Sequence, residues 1–139
     1  GMAISTMEEG LKPWFQKATR YHKRTAYHDF EGKAQDLDER ERLVKDLGDK
    51  NYLVLRNHGL LVCAPSIAQG FKEMYAMEKA CMTQLAIMQA GGKVIELSDN
   101  LLEHTAQQFE SDAKVTRERP SGWPSLLKML DRVNPGYDS

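Results

Sequence analysis

The chain has 139 residues, 41% hydrophobic and 28% charged, with 19 basic against 20 acidic residues and a formal net charge of -1. That length suits one domain over residues 1–139, with a core that needs no disulfide or metal staple. The charge balance gives no reason to expect a nucleic-acid partner, and no segment has the apolar length needed to span a bilayer.

Gly1 ahead of Met2 reads as an expression scar, and the N-terminus has no signal-peptide pattern. Residues 1–22 mix polar and apolar positions around Gly10 and Pro13, which predicts a loosely organised entry with one turn or short helix. Alternation and β-favouring residues over Arg24–Phe30 predict a strand, ended by Glu31-Gly32. Asp36, three residues before Glu39, forms a capping box. The helix it opens is lined by Leu37, Val44 and Leu47, with Leu43 at the border, and Gly48 stops it. A buried strand runs through Leu53–Leu55. Leu60–Cys63 continues the apolar run as an antiparallel strand, turned around Asn57-His58-Gly59. Ser66 and Gln69 form a second capping box, opening a long helix that Gly91-Gly92 stops near Ala90. Its predicted inner stripe is Ile67, Phe71, Met74, Cys81, Leu85 and Met88, interrupted by Glu78. Met74, Met77, Met82 and Met88 read as helix packing. Ser98 caps a helix over 99–114 with Leu101, Leu102, Thr105 and Phe109 inward. A linker over 117–122 precedes a last helix from Trp123 to Arg132, with Trp123, Leu126, Leu127, Leu130 and Val133 on one face. The mixture of strands and helices points to the α/β or α+β class, and few strands beside this many apolar helix faces point to self-association. Cys63 and Cys81 lie in apolar segments and read as buried free thiols, which fits a reducing, cytoplasmic setting.

His58 is the first candidate residue. A polar–imidazole–glycine step at the end of an apolar strand suggests a site, because a strand end offers a side chain while its backbone stays paired. Asn57 and Gly59 supply turn chemistry, and Arg56 is expected to pair with an acid. Glu78 is either an outer partner of an imidazole or half of an ion pair that fixes its helix. His22 and His28, six apart, share a face if the span between them is extended. Tyr27, His28 and Asp29 are consecutive and cannot all converge on one pocket.

Four segments occur in order: Tyr27-His28-Asp29-Phe30-Glu31-Gly32, Leu37-Asp38-Glu39-Arg40-Glu41-Arg42-Leu43, Leu55-Arg56-Asn57-His58-Gly59-Leu60-Leu61-Val62 with the long helix after it, and Trp123-Pro124-Ser125-Leu126-Leu127. From about Glu9 onward this set resembles the class II aldolase/adducin family. The resemblance implies a three-layer α/β/α fold around a mostly antiparallel sheet, present here as a truncated, C-terminal part of the domain. It implies a homo-oligomer, a tetramer in the family, with sites at subunit interfaces. It also implies aldol cleavage of a small sugar phosphate at a zinc held by three histidines. Two of these come from an early His-x-His, and the third maps onto His58; a separate upstream Glu is the acid/base. This chain holds only His22, His28, His58 and His104, with no His-x-His. The upstream Glu is likewise not in it, and Ala64-Pro65 stands where the family more often has Gly and a polar residue. Catalytic zinc needs three protein ligands and an open position. The resemblance therefore leaves His58 as a single metal ligand, with Asn57 and Glu78 as outer neighbours. Two readings follow: a metal-dependent sugar-phosphate aldolase degenerate in this chain, or a non-catalytic oligomeric scaffold, as adducin is.

Overall fold

The computed structural model describes residues 1–32, 37–116 and 122–137. They fall into two compact units, Gly1–Gln107 and Gln108–Ser139.

The first unit is built on three short strands. β1 (Thr25–His28) pairs in parallel with β2 (Tyr52–Leu55), setting Thr25 opposite Tyr52 and His28 opposite Leu55. β3 (Gly59–Val62) pairs antiparallel to β2, with Leu55 opposite Gly59. The class is α/β, as the sequence predicts, but the described sheet is mixed rather than mostly antiparallel. The parallel pair cannot be closed by a tight turn and needs a crossover. That crossover carries a helix, Glu39–Leu47.

The helices, numbered in chain order, are α1 (Met2–Ser5), α2 (Gln16–Thr19), α3 (Glu39–Leu47), α4 (Ile67–Ala90), α5 (Asp99–Thr116) and α6 (Trp123–Val133). Alternation along the strands gives the sheet two working faces. Tyr27, Tyr52, Val54, Leu60 and Val62 meet Ile4, Leu11, Ala18, Tyr21, Met77, Ala80 and Cys81, which come from the N-terminal segment and α4. Ala26, His28 and Leu53 are buried on the other face, where α3 packs against β1. Helices thus lie on both sides of the strands.

Several sequence expectations need correction. The N-terminal segment is not loose: two short helices place Ile4, Leu11, Ala18 and Tyr21 in the core. β1 is shorter than predicted, and Phe30 is exposed beyond its end. On α3, Leu43 and Leu47 are half-buried while Val44 and Leu37 are exposed; Asp36 lies outside the described residues. α4 keeps its predicted ends: the Ser66 hydroxyl accepts the Gln69 N–H at 3.3 Å, and Gly91 closes the helix at φ +69°. Its inner face matches the predicted stripe only in part, at Cys81 and Leu85. Met77, Ala80, Cys81 and Gln84 are buried, whereas Ile67 and Phe71 are exposed. Cys81 is buried as expected but Cys63 is exposed, one residue past the end of β3. On α5, capped by Ser98 at 3.4 Å, Leu102 and Ala106 are buried and Leu101 is exposed. Within the second unit, Trp123, Leu126, Leu127 and Leu130 of α6 are half-buried, as its periodicity predicts, and Val133 is exposed. Most of the predicted linker, residues 117–121, lies outside the described residues.

Polar ties hold the outer helices. Glu73 on α4 accepts from the Tyr52 hydroxyl at 2.7 Å and pairs with Arg20 at 3.0 Å. Arg24 forks onto Glu103 of α5, with contacts of 2.5 and 2.7 Å. The hydrogen bond from Arg24 holds the Glu103 carboxyl down to about 2. A carboxyl depressed in the folded chain contributes stability that is complete above its ordinary value and is lost as pH falls through the folded value. Wild type and Glu103→Gln should therefore differ in urea stability above about pH 5 and converge near pH 2. Parallel curves across that range would show that the fork adds nothing.

Candidate functional site

β2 runs directly into the His58 turn. The Arg56 N–H donates to the His28 carbonyl at 2.8 Å, extending the β1–β2 ladder by one step, and the His58 N–H closes the turn on the Leu55 carbonyl at 3.0 Å. Asn57 takes φ +55° inside that turn, a left-handed backbone that Asn tolerates better than most residues. Its N–H donates to the Ser5 carbonyl at 3.1 Å, so the end of α1 pins the turn from outside. The His58 imidazole stands exposed at this corner.

The other sequence candidates do not gather around it. His22 lies in the turns before β1 rather than on a strand, and its Nε2 meets Asp99 at 3.0 Å. Tyr27 and His28 project to opposite faces, as consecutive strand residues must. The Tyr27 hydroxyl accepts the Leu11 N–H at 3.1 Å, and the Arg56 guanidinium lies 4.5 Å from the centre of its ring. Arg56 was expected to find an acid. It donates instead to the Met7 and Glu8 carbonyls at 2.5 and 3.1 Å, because the folded N-terminal segment brings main-chain oxygens to it. Glu78 receives the Gly1 ammonium at 2.8 and 3.0 Å.

Among the described residues, His58 belongs to no group of three donors close enough to share a cation. Zinc at this corner would have one of the three protein ligands a catalytic site requires. The residues present do not fit the zinc centre that the family resemblance implies.

A different group does assemble, on the α3 face of the sheet. His28 is buried, and its Nδ1 lies 2.7 Å from Asp46. Its Nε2 is buried without a hydrogen-bond partner and faces Glu39 at 3.6 Å and Glu31 at 3.9 Å. Arg42 donates from Nε to both Glu31 oxygens at 2.9 Å, and that bonding holds the Glu31 carboxyl below its usual range. Sequence reasoning treated Glu39 only as a capping residue and missed this grouping. A usable signal was present: Glu39 and Asp46 are seven apart, two turns along one helix face, and His28 and Glu31 flank the end of a strand.

Beside the end of β3, Val62, Ala64, Ile67, Phe71, Met74 and Tyr75 line an open apolar groove of about 620 Å³. No helix among the described residues is long and apolar enough to cross a membrane.

Residues 1–85 match the family model described as "Class II Aldolase and Adducin N-terminal domain". The chain is 36% identical over 142 residues to a "Putative aldolase class 2 protein" of Pseudomonas aeruginosa, a match that takes in 99% of this chain and 54% of that protein. It is 34% identical over 148 residues to alpha-adducin of Rattus norvegicus, covering 99% of this chain and 20% of that one. The crystal structure of an aldolase II superfamily protein from Pseudomonas syringae superposes with a TM-score of 0.85 at 36% identity, covering 100% of this chain and 55% of that one. The chain thus spans about half the length of the bacterial relative and of the solved structure. With more than half of its residues matched by the family model, and with relatives of both the aldolase and the adducin kind, the chain belongs to the class II aldolase/adducin family.

Proposed function

We propose that residues 1–139 act as one aldolase/adducin-like domain that carries the His58 corner of a class II aldolase site without the rest of its chelate. By themselves these residues do not cleave a sugar phosphate. The observation that supports this is the exposed His58 imidazole, joined by no pair of further donors among the described residues. In this reading His58 is the single ligand offered to a zinc whose other ligands come from another chain, with Asn57 beside it in the turn; Glu78 is engaged by the Gly1 ammonium instead.

A second reading, a non-catalytic homo-oligomeric scaffold, is favoured by the apolar groove, where Ile67, Phe71 and Tyr75 are exposed. Apolar surface gathered in one place is a common mark of an interface.

One set of measurements separates these readings. His58→Ala should change stability by less than about 0.5 kcal/mol, as surface substitutions usually do. The purified chain with added zinc should cleave a ketose 1-phosphate no faster than buffer does, and light scattering should give a dimer or larger. Cleavage by the chain alone that disappears in His58→Ala would overturn the catalytically silent reading. A monomer at high concentration would remove the scaffold.

A further inference from the structure

We propose that His28, Glu31 and Glu39 form a site for a divalent cation of the zinc or cobalt class, on the α3 face of the sheet and independent of His58.

The argument begins at Asp46. An ionised carboxylate only accepts hydrogen bonds, so the 2.7 Å contact puts a proton on His28 Nδ1. Nε2 is then the ring atom left to offer a lone pair. This atom is buried, has no hydrogen-bond partner, and faces two carboxylate oxygens. A lone pair held against two anionic oxygens is unfavourable unless something positive lies between them.

The spacing selects what that is. A proton on Nε2 would need an acceptor within roughly 3.2 Å. The nearest carboxylate oxygens are at 3.6 and 3.9 Å, too far for that bond. Two donors each about 2.1 Å from a tetrahedral ion are roughly 3.4 Å apart. The three donor atoms lie within 4.8 Å of one another, so closing on an ion needs only small side-chain rotations. Glu31, the most exposed of the three donors, has room to make them.

Charge and chemistry agree with the spacing. Glu31, Glu39 and Asp46 against the Arg42 guanidinium leave two negative charges, which a dication cancels. One imidazole with two carboxylates suits borderline first-row ions better than calcium, which prefers an all-oxygen shell. Asp46 on Nδ1 is the outer partner that orients a metal-bound imidazole. Bound there, the ion ties the end of β1 to the first turn of α3 and so fixes the crossover between the parallel strands.

The test uses the whole chain, stripped with a chelator and titrated with Co²⁺ by calorimetry and visible absorption, then with Zn²⁺ in competition. One ion per chain is expected, with a raised Tm. Glu39→Gln and Glu31→Gln should each weaken binding at least tenfold while leaving circular dichroism unchanged, and His58→Ala should bind as wild type does. Asp46→Asn should keep the stoichiometry and lose about 10–100-fold in affinity, the usual cost of an outer partner. The proposal is overturned if wild type takes up no stoichiometric Co²⁺ or Zn²⁺, or if Glu39→Gln binds as tightly as wild type. It is also overturned if binding is lost in His58→Ala and kept in Glu39→Gln. Because the Glu variants leave the buried ring in place, the result does not depend on a His28 variant folding. The readout is binding, so it stands or falls separately from the absence of aldol cleavage.

Discussion

Gln84→Ala should destabilise the chain by about 2–4 kcal/mol, a large effect for a residue that a sequence reader would place on the surface. Gln84 is buried on α4 and serves the N-terminal loop with both ends of its amide. Its oxygen accepts the Lys12 N–H at 2.7 Å, and its nitrogen donates to the Gly10 carbonyl at 2.9 Å. Truncation removes both partners, leaves two main-chain groups unsatisfied at a buried site, and opens a cavity beside Met77 and Cys81. Gln84→Glu separates the causes. It retains an acceptor for Lys12 but cannot donate to Gly10, and it brings a charge into the core. It should therefore be at least as damaging near neutral pH. Urea unfolding followed by circular dichroism reads both variants. A loss below about 0.5 kcal/mol for Gln84→Ala would mean that solvent or a relaxed loop replaces the amide.

Gly10→Ala should cost a similar amount, about 2–4 kcal/mol, for a different reason. Gly10 sits at φ +63°, where a side chain is strained whatever the space around it. There is also no space, because the added Cβ would run into the Tyr27 ring and hydroxyl. That ring cannot easily withdraw. Its oxygen holds the Leu11 N–H, and the Arg56 guanidinium covers one face. The left-handed backbone accounts for roughly 1–2 kcal/mol and overpacking for the remainder. Adding Tyr27→Ala to Gly10→Ala should recover part of the overpacking loss, so the double variant should be less damaged than the sum of the singles. Strict additivity would assign the whole cost to the backbone.

Both effects depend on a loop whose organisation the sequence concealed. Local signals were legible where they act locally. Ser66 and Gly91 bracket α4, and Ser98 opens α5. The Asn-His-Gly turn reverses β2 into β3 at a positive-φ Asn57. The inner face of α4 was not legible in the same way. Apolar residues lie on more than one side of that helix, so periodicity alone put Phe71 and Met74 in line with Cys81, while packing buried Met77 and Ala80 beside it. Gln84 was hidden because its burial depends on two main-chain groups more than seventy positions away. The mixed sheet was hidden because the direction of β1 depends on where the crossover through α3 returns, which no single segment specifies. Of the two candidate sites, His58 announced itself by its neighbours in the chain. The His28 group required a strand end and a separate helix to meet.

The unequal placement of the two thiols provides an internal clock. Cys63 is open to solvent while Cys81 is sealed on the inner face of α4 against the N-terminal segment, and burial pushes its thiol pKa up. An alkylating reagent added to native protein will therefore modify one sulfur promptly and reach the other only through opening of the molecule. The delay between the two events measures how often the N-terminal segment and α4 part, without denaturant and without an introduced label.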